Sequence, residues 1–396
     1  MKSNNAILWV IAIVIVVLGI VYFSKPAPEA PVSPAEEKAA VEIPDGPIVL
    51  GAMDTLTGEG AVYGIPLQNA TMLAVNEINA AGGVDGHQLQ LVWEDSKCNP
   101  QDGGAAAQKL IEVDKISYIV SGDCSGAALA AAALTEPAGV MLFSAAASSP
   151  DLTTAGDLVF RSYPSDAMAG RVIASYVIKQ LSAKKVAVIS EQTDYAQGLR
   201  GSFTTASKEF GAEVVGDETY NTGDTDFRTQ ILKLKSASPD SLYVVPQTPV
   251  TGVQILKQLK ENGFKAVILV SDTMLGSDTI SENKALYADV YSPTPELDAS
   301  RPVTKRFLEN FQGAYDHAPE FPAYMAAAYD QIYMLKDAFE KVGTDQKAVR
   351  DWLYEVENWP GALGDTSFDE FGDPIIGYHI KHIVNGEQQD LGAYTP

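Results

Sequence analysis

The chain has 396 residues, 46% of them hydrophobic and 20% charged, with 51 acidic against 28 basic side chains, a net charge of −23 and two cysteines. That balance buries large cores and excludes wholesale disorder, and at roughly 150 residues per domain the length fits about two domains. Nucleic-acid contacts need clustered Lys and Arg, so a strongly acidic chain excludes that partner.

The first element is an unbroken apolar run, Ala6 to Phe23, with only Lys2 before it. It is longer than a usual secretory core and no small-x-small cleavage site follows, so an uncleaved membrane anchor is favoured over a removed signal segment. Either way the remainder is placed outside the cytoplasm, in the periplasm or on the cell surface. Residues 24–47 are rich in Pro, Ala and Glu without apolar periodicity and read as a tether. Cys98 and Cys124 pair by default in an oxidising compartment, with two buried free thiols as the alternative.

From Ile48 onward, short β-branched runs alternate with helical stretches. Strands are predicted at 48–53, 89–93, 117–120 and 140–144, with helices at 66–81, 102–114 and 126–136 between them. A second series places helices at 171–181, 196–210, 227–235 and 251–262 between strands at 185–190, 213–220, 241–245 and 266–270. A Pro-containing stretch at 292–302 precedes helices at 303–315, 323–342 and 346–355, and Asn385-Gly386 marks a hairpin turn after a β-rich tail at 375–384. This alternation is an α/β fold with two doubly wound parallel-sheet lobes. The expected boundaries are 48–165 with 292–372 for one lobe, and 166–291 with 373–396 for the other.

Open α/β sheets bind ligands at the carboxyl ends of their strands. After the first strand, residues 54–64 (DTLTGEGAVYG) lack the spacing of a dinucleotide fingerprint, so no nucleotide cofactor is expected; the glycines let the loop turn and present Tyr63. Ser125 is placed to cap the helix after 117–120, and Ser148 and Ser149 follow the next strand, a pair of loops suited to a carboxylate. Residues 122–126 miss the G-x-S-x-G elbow, and none of His87, His317, His379 and His382 marks a base, so no enzyme is expected. His379 and His382 would point to opposite faces of a strand, so no metal site is expected. Tyr195, Gln247 and Asp272 stand at strand ends of the second series, and the lone carboxylate of Asp272 suits an ammonium group.

Several segments in order are similar to one family: Thr57-Gly58 with Tyr63-Gly64, the helix ending in Asn79 and Gly82-Gly83, and Glu94-Asp95 before Cys98. The run at 145–152 (AAASSPDL), Asp194-Tyr195 with Gly198, and residues 328–330 (AYD) complete the set. The body resembles the type I periplasmic binding proteins of the leucine/isoleucine/valine-binding family, substrate-binding subunits of ABC transporters. The resemblance implies a Cys98–Cys124 disulfide and a hinge at Asp166. It further implies a ligand carboxylate held by Ser125 and Ser148, an ammonium held by the Ala146 carbonyl, the Ser148 hydroxyl and Asp272, and aromatic walls from Tyr63, Tyr195 and Tyr324. Asp123 and Gln247 depart from the pattern, since these positions tend to be apolar and Tyr; a buried carboxylate facing the ligand favours a polar or cationic amino acid. The expected role is capture of an amino acid or similar zwitterion for a permease, and the second reading is a ligand-sensing ectodomain without transport.

Overall fold

The computed structural model describes residue 43 and residues 45–396. The predicted span at 6–23 and most of the tether lie outside these residues, and no helix among the described residues is long and apolar enough to cross a membrane.

The first sheet holds β1 (Ile48–Asp54), β2 (Leu89–Asp95), β3 (Tyr118–Ser121), β4 (Met141–Ser144) and β5 (Val159–Arg161), all parallel, in the order β2-β1-β3-β4-β5. Helices α1 (Ala61–Ala80), α2 (Pro100–Glu112) and α3 (Ser125–Ala138) connect its strands. Helices cover both faces, so β1 is buried along nearly its whole length instead of alternating.

The second sheet follows. It is reached through α4 (Asp166–Lys179), and its helices α5 (Asp194–Glu209), α6 (Arg228–Ala237), α7 (Pro249–Glu261) and the short α8 (Ser277–Glu282) alternate with strands. Those strands are β6 (Lys185–Glu191), β7 (Glu213–Tyr220), β8 (Ser241–Val245), β9 (Val267–Val270) and β10 (Asp289–Pro295). The chain then returns as α9 (Pro302–Tyr315), α10 (Pro322–Val342) and α11 (Gln346–Tyr354), whose apolar faces join the core of the first sheet. After the two-residue strands β11 (Trp359–Pro360) and β12 (Asp365–Thr366), the hairpin β13 (Tyr378–Val384) and β14 (Glu387–Ala393) completes the second sheet in the order β14-β13-β10-β9-β8-β6-β7.

Alternate residues of each strand feed opposite cores. In the first sheet Leu50, Ala52 and Val120 meet Leu67, Met325 and Ala328 from α1 and α10, whereas Met53 and Ile119 meet Ala106, Leu110 and Ala131 from α2 and α3. In the second, Val186, Val188 and Tyr243 pack on Val172 and Phe203, and Ala187, Ile189 and Val244 on Ile231 and Ile255. The two sheets are linked by crossovers after β5, after β10 and before β13. Two of these are clamped together, because Arg161, buried at the end of β5, pairs with Asp373 through two nitrogens and also donates to the Ser149 carbonyl and the Thr153 hydroxyl.

Several expectations shift. The second sheet is mixed, because β13 pairs antiparallel with β10 and with β14. Residues 292–295 belong to β10, so the chain leaves the second sheet after Pro295, not at 292. The first helix begins at Ala61, five residues before the expected start at Pro66, which places Tyr63 and Gly64 on a helix instead of a loop. Gly64 allows this start: a Cβ there would lie 1.9 Å from the Thr55 carbonyl oxygen, so only glycine lets the helix begin against the strand end.

Candidate functional site

The carboxyl ends of β1, β3 and β4 face those of β6, β8 and β9 across the space between the sheets. The loops there leave a small cavity of about 20 Å³, narrower than an amino acid, lined by Tyr63, Leu67, Asp123, Ala146, Tyr195, Gln247, Thr273 and Tyr324. The two lobes touch around it. A Cβ on Gly126 would lie 2.6 Å from the Asp194 carboxylate, one on Gly198 2.6 Å from Pro150, and the Tyr63 hydroxyl donates to the Thr273 carbonyl at 3.0 Å.

On the first lobe, Tyr63 stacks edge-on against Phe321 and Tyr324 from the start of α10. Asp123 follows Gly122, whose positive φ of 88° turns the chain out of β3 and whose N–H donates to the Met53 carbonyl and the Asp54 carboxylate. The Asp123 Oδ2 accepts the Thr55 N–H at 3.2 Å. Its Oδ1 is buried and has no partner. The residue keeps part of its surface towards the cavity, but its carboxylate oxygen is out of contact with water. Burial pushes its pKa up to about 6, against the hydrogen-bonding influence of Thr55 and of the Asp123 and Cys124 N–H groups. A disulfide between Cys98 and Cys124 ties the adjacent residue to the loop after β2.

On the second lobe, Gln247 follows β8; its N–H donates to the buried Glu191 at 2.9 Å and its side-chain nitrogen approaches the Cys124 sulfur at 3.9 Å. Asp272 opens a short 3₁₀ turn after β9. Its carboxylate accepts the hydroxyls of Tyr163 at 2.5 Å and Tyr195 at 3.2 Å, with Tyr324 as a third donor. Burial raises the Asp272 pKa while these hydroxyls oppose the rise. The Asp166 carboxyl is driven well above its ordinary value, first by burial and then by the Asp272 charge, and it accepts the Ser148 hydroxyl at 2.8 Å.

The cavity thus collects Tyr63, Asp123, Ala146, Tyr195, Gln247 and Tyr324 from the residues singled out in the sequence, with Asp272 behind the tyrosines. Ser125 and Ser148 do not line it. Ser125 is the first residue of α3, not its cap, which is Cys124 without a side-chain hydrogen bond; the Ser125 hydroxyl accepts the Ser149 N–H at 3.1 Å. Asp166 sits just past the first crossover as the first residue of α4, and its N–H donates to the Ser148 carbonyl. Sequence reasoning missed Leu67, Thr273, Tyr163 and Glu191. Leu67 lies one helical turn from Tyr63, Thr273 adjoins Asp272 and Glu191 ends β6, so spacing from residues already singled out would have found them; Tyr163 lies in a crossover without such a signal.

No histidine stands beside either serine: His379 and His382 pair with Asp390 and Asp289, His87 contacts the Gly46 carbonyl, and the group that Ser148 meets is the Asp166 carboxyl. Among the described residues no three metal-ligating side chains converge.

Comparison with known proteins agrees with this architecture. The family model described as "Periplasmic binding protein" matches residues 47–386. The Leu/Ile/Val-binding protein homolog 1 of Brucella abortus is 28% identical over 340 residues, covering 85% of this chain and 90% of that protein. The leucine-binding protein LivK of Thermotoga maritima superposes with a TM-score of 0.82 at 25% identity, covering 88% of this chain and 99% of that one. LivJ of Streptococcus pneumoniae, a branched-chain amino-acid transporter substrate-binding protein solved with isoleucine, gives 0.79 at 29% identity with the same coverage. The chain therefore belongs to the type I periplasmic binding proteins of the leucine/isoleucine/valine-binding family, a family of solute-binding proteins.

Proposed function

We propose that this protein is an extracytoplasmic solute-binding protein that closes two lobes, 48–165 with 296–372 and 166–295 with 373–396, around an amino acid and delivers it to an ABC transporter permease, tethered to the membrane by residues 6–23. The observation that carries this reading is the convergence of tyrosines from both lobes at facing strand ends around a small cavity, backed by the buried carboxylate of Asp272; the lobes must part to admit a ligand. In this closed form the groups assigned to the ligand's ends are engaged with protein partners: Ser148 with Asp166, Asp272 with three tyrosines. A bound amino acid exchanges those contacts for its own. Its ammonium meets Asp272 and the Ala146 carbonyl, and its carboxylate meets Ser125, Ser148 and the amide groups opening α3. Ligand contacts to both lobes then favour closure.

The test is calorimetric titration of amino acids into the purified protein and its Asp272→Ala variant. The variant loses at least tenfold in affinity while its melting temperature changes little, because the carboxylate it removes is already costly to bury. An unchanged dissociation constant removes Asp272 from the binding role.

A further inference from the structure

The donors around the cavity are already committed. The Tyr63 hydroxyl serves the Thr273 carbonyl, those of Tyr195 and Tyr324 serve Asp272, and the Gln247 amide nitrogen is directed at the Cys124 sulfur. No Lys or Arg lines the cavity, and Arg161, the cation at the crossover, is held by Asp373. Glu191, the other acid near Gln247, is satisfied by the Tyr220 and Thr222 hydroxyls and the Gln247 N–H. Asp123 is the acid that lines the cavity, and one of its carboxylate oxygens is buried without a hydrogen bond. An aliphatic ligand side chain would leave that oxygen dry without giving it a donor, the costliest arrangement for a carboxylate.

We infer that the ligand supplies the missing donor: Asp123 is the specificity-determining residue for an amino acid whose side chain ends in a cationic nitrogen group, an ammonium or guanidinium, paired with the free Oδ1. This rests on reading the cleft as an amino-acid site. The Thr55 N–H holds the other oxygen and the neighbouring disulfide holds the backbone, so the carboxylate is presented in a fixed direction.

The test is calorimetric titration of arginine, lysine, glutamine and leucine into the protein and into its Asp123→Asn and Asp123→Leu variants. Arginine or lysine binds at least tenfold tighter than glutamine or leucine, Asp123→Asn weakens that cationic ligand at least tenfold, and Asp123→Leu turns the preference to leucine. Leucine or glutamine binding as tightly as either cation overturns the inference and leaves the amino-acid reading standing, as does an unchanged affinity in Asp123→Asn. Silence towards all four ligands overturns both. A melting temperature for each variant within a few degrees of the parent certifies that lost binding is not lost folding.

Discussion

Replacing Asp123 by Asn stabilises the ligand-free protein near neutral pH and progressively less in acid. The carboxyl is raised from 3.8 to about 6 by burial. A raised acid pKa means that the charged form is disfavoured in the folded protein, so the cost is complete above pH about 6, shrinks as the pH falls, and vanishes only below 3.8, where folded and unfolded chains are both protonated. A rise of roughly two units corresponds to about 3 kcal/mol. That is a ceiling, because opening the cleft rehydrates the group. Asn keeps an acceptor for the Thr55 N–H and discards the charge. With an unfolding entropy of about 2 cal/mol/K per residue, about 3 kcal/mol over a body of roughly 350 residues raises the melting temperature by about 4 °C. Scanning calorimetry at pH 7.5 and 4.5 measures it, with the full gain expected at the first pH and about a third of it at the second. An equal or lower melting temperature for Asp123→Asn at pH 7.5, or a gain indifferent to pH, refutes the reasoning.

Other parts of the molecule yield sharper structural outcomes. Arg161→Ala leaves the buried Asp373 carboxylate without its cation and costs about 3–5 kcal/mol, read from the urea midpoint. Gly64→Ala drives a methyl group into the Thr55 carbonyl, so α1 moves away from β1; about 1–3 kcal/mol is lost, and ligand affinity falls because Tyr63 and Thr55 move with it. Reducing Cys98–Cys124 opens a loop spanning 26 positions and lowers stability by about 3–4 kcal/mol on the chain-entropy estimate, seen as a lower melting temperature with reductant. Tyr63→Phe deletes the hydrogen bond to the Thr273 carbonyl between the lobes, worth about 1 kcal/mol, and enlarges the radius of gyration of the unliganded protein in small-angle scattering.

The sequence by itself determined the alternation of strands and helices, because burial on a parallel sheet and the 3.6-residue period are written locally. Glu213–Tyr220 and Ser241–Val245 are found where the pattern puts them. It also determined which strand ends carry Tyr63, Asp123, Gln247 and Asp272. The three-residue strand Val159–Arg161 was illegible because it is too short to carry a period and exists only through pairing with β4. The polar edge strand Glu387–Ala393 exists only through its pairing with β13. The helix starts at Ala61 and Asp166 were misplaced because residues before the apolar stripe become helical by docking: Gly64 fits against Thr55, and the Asp166 N–H binds the Ser148 carbonyl. The tertiary structure alone decided which polar groups are already paired. It turned Ser148 towards Asp166 and Ser125 towards Ser149, surrounded Asp272 with tyrosines, and left one oxygen of Asp123 buried without a hydrogen bond. The physical reason is that a side chain's hydrogen-bond partners come from distant segments, and the geometry that brings those segments together is carried by no local stretch of chain.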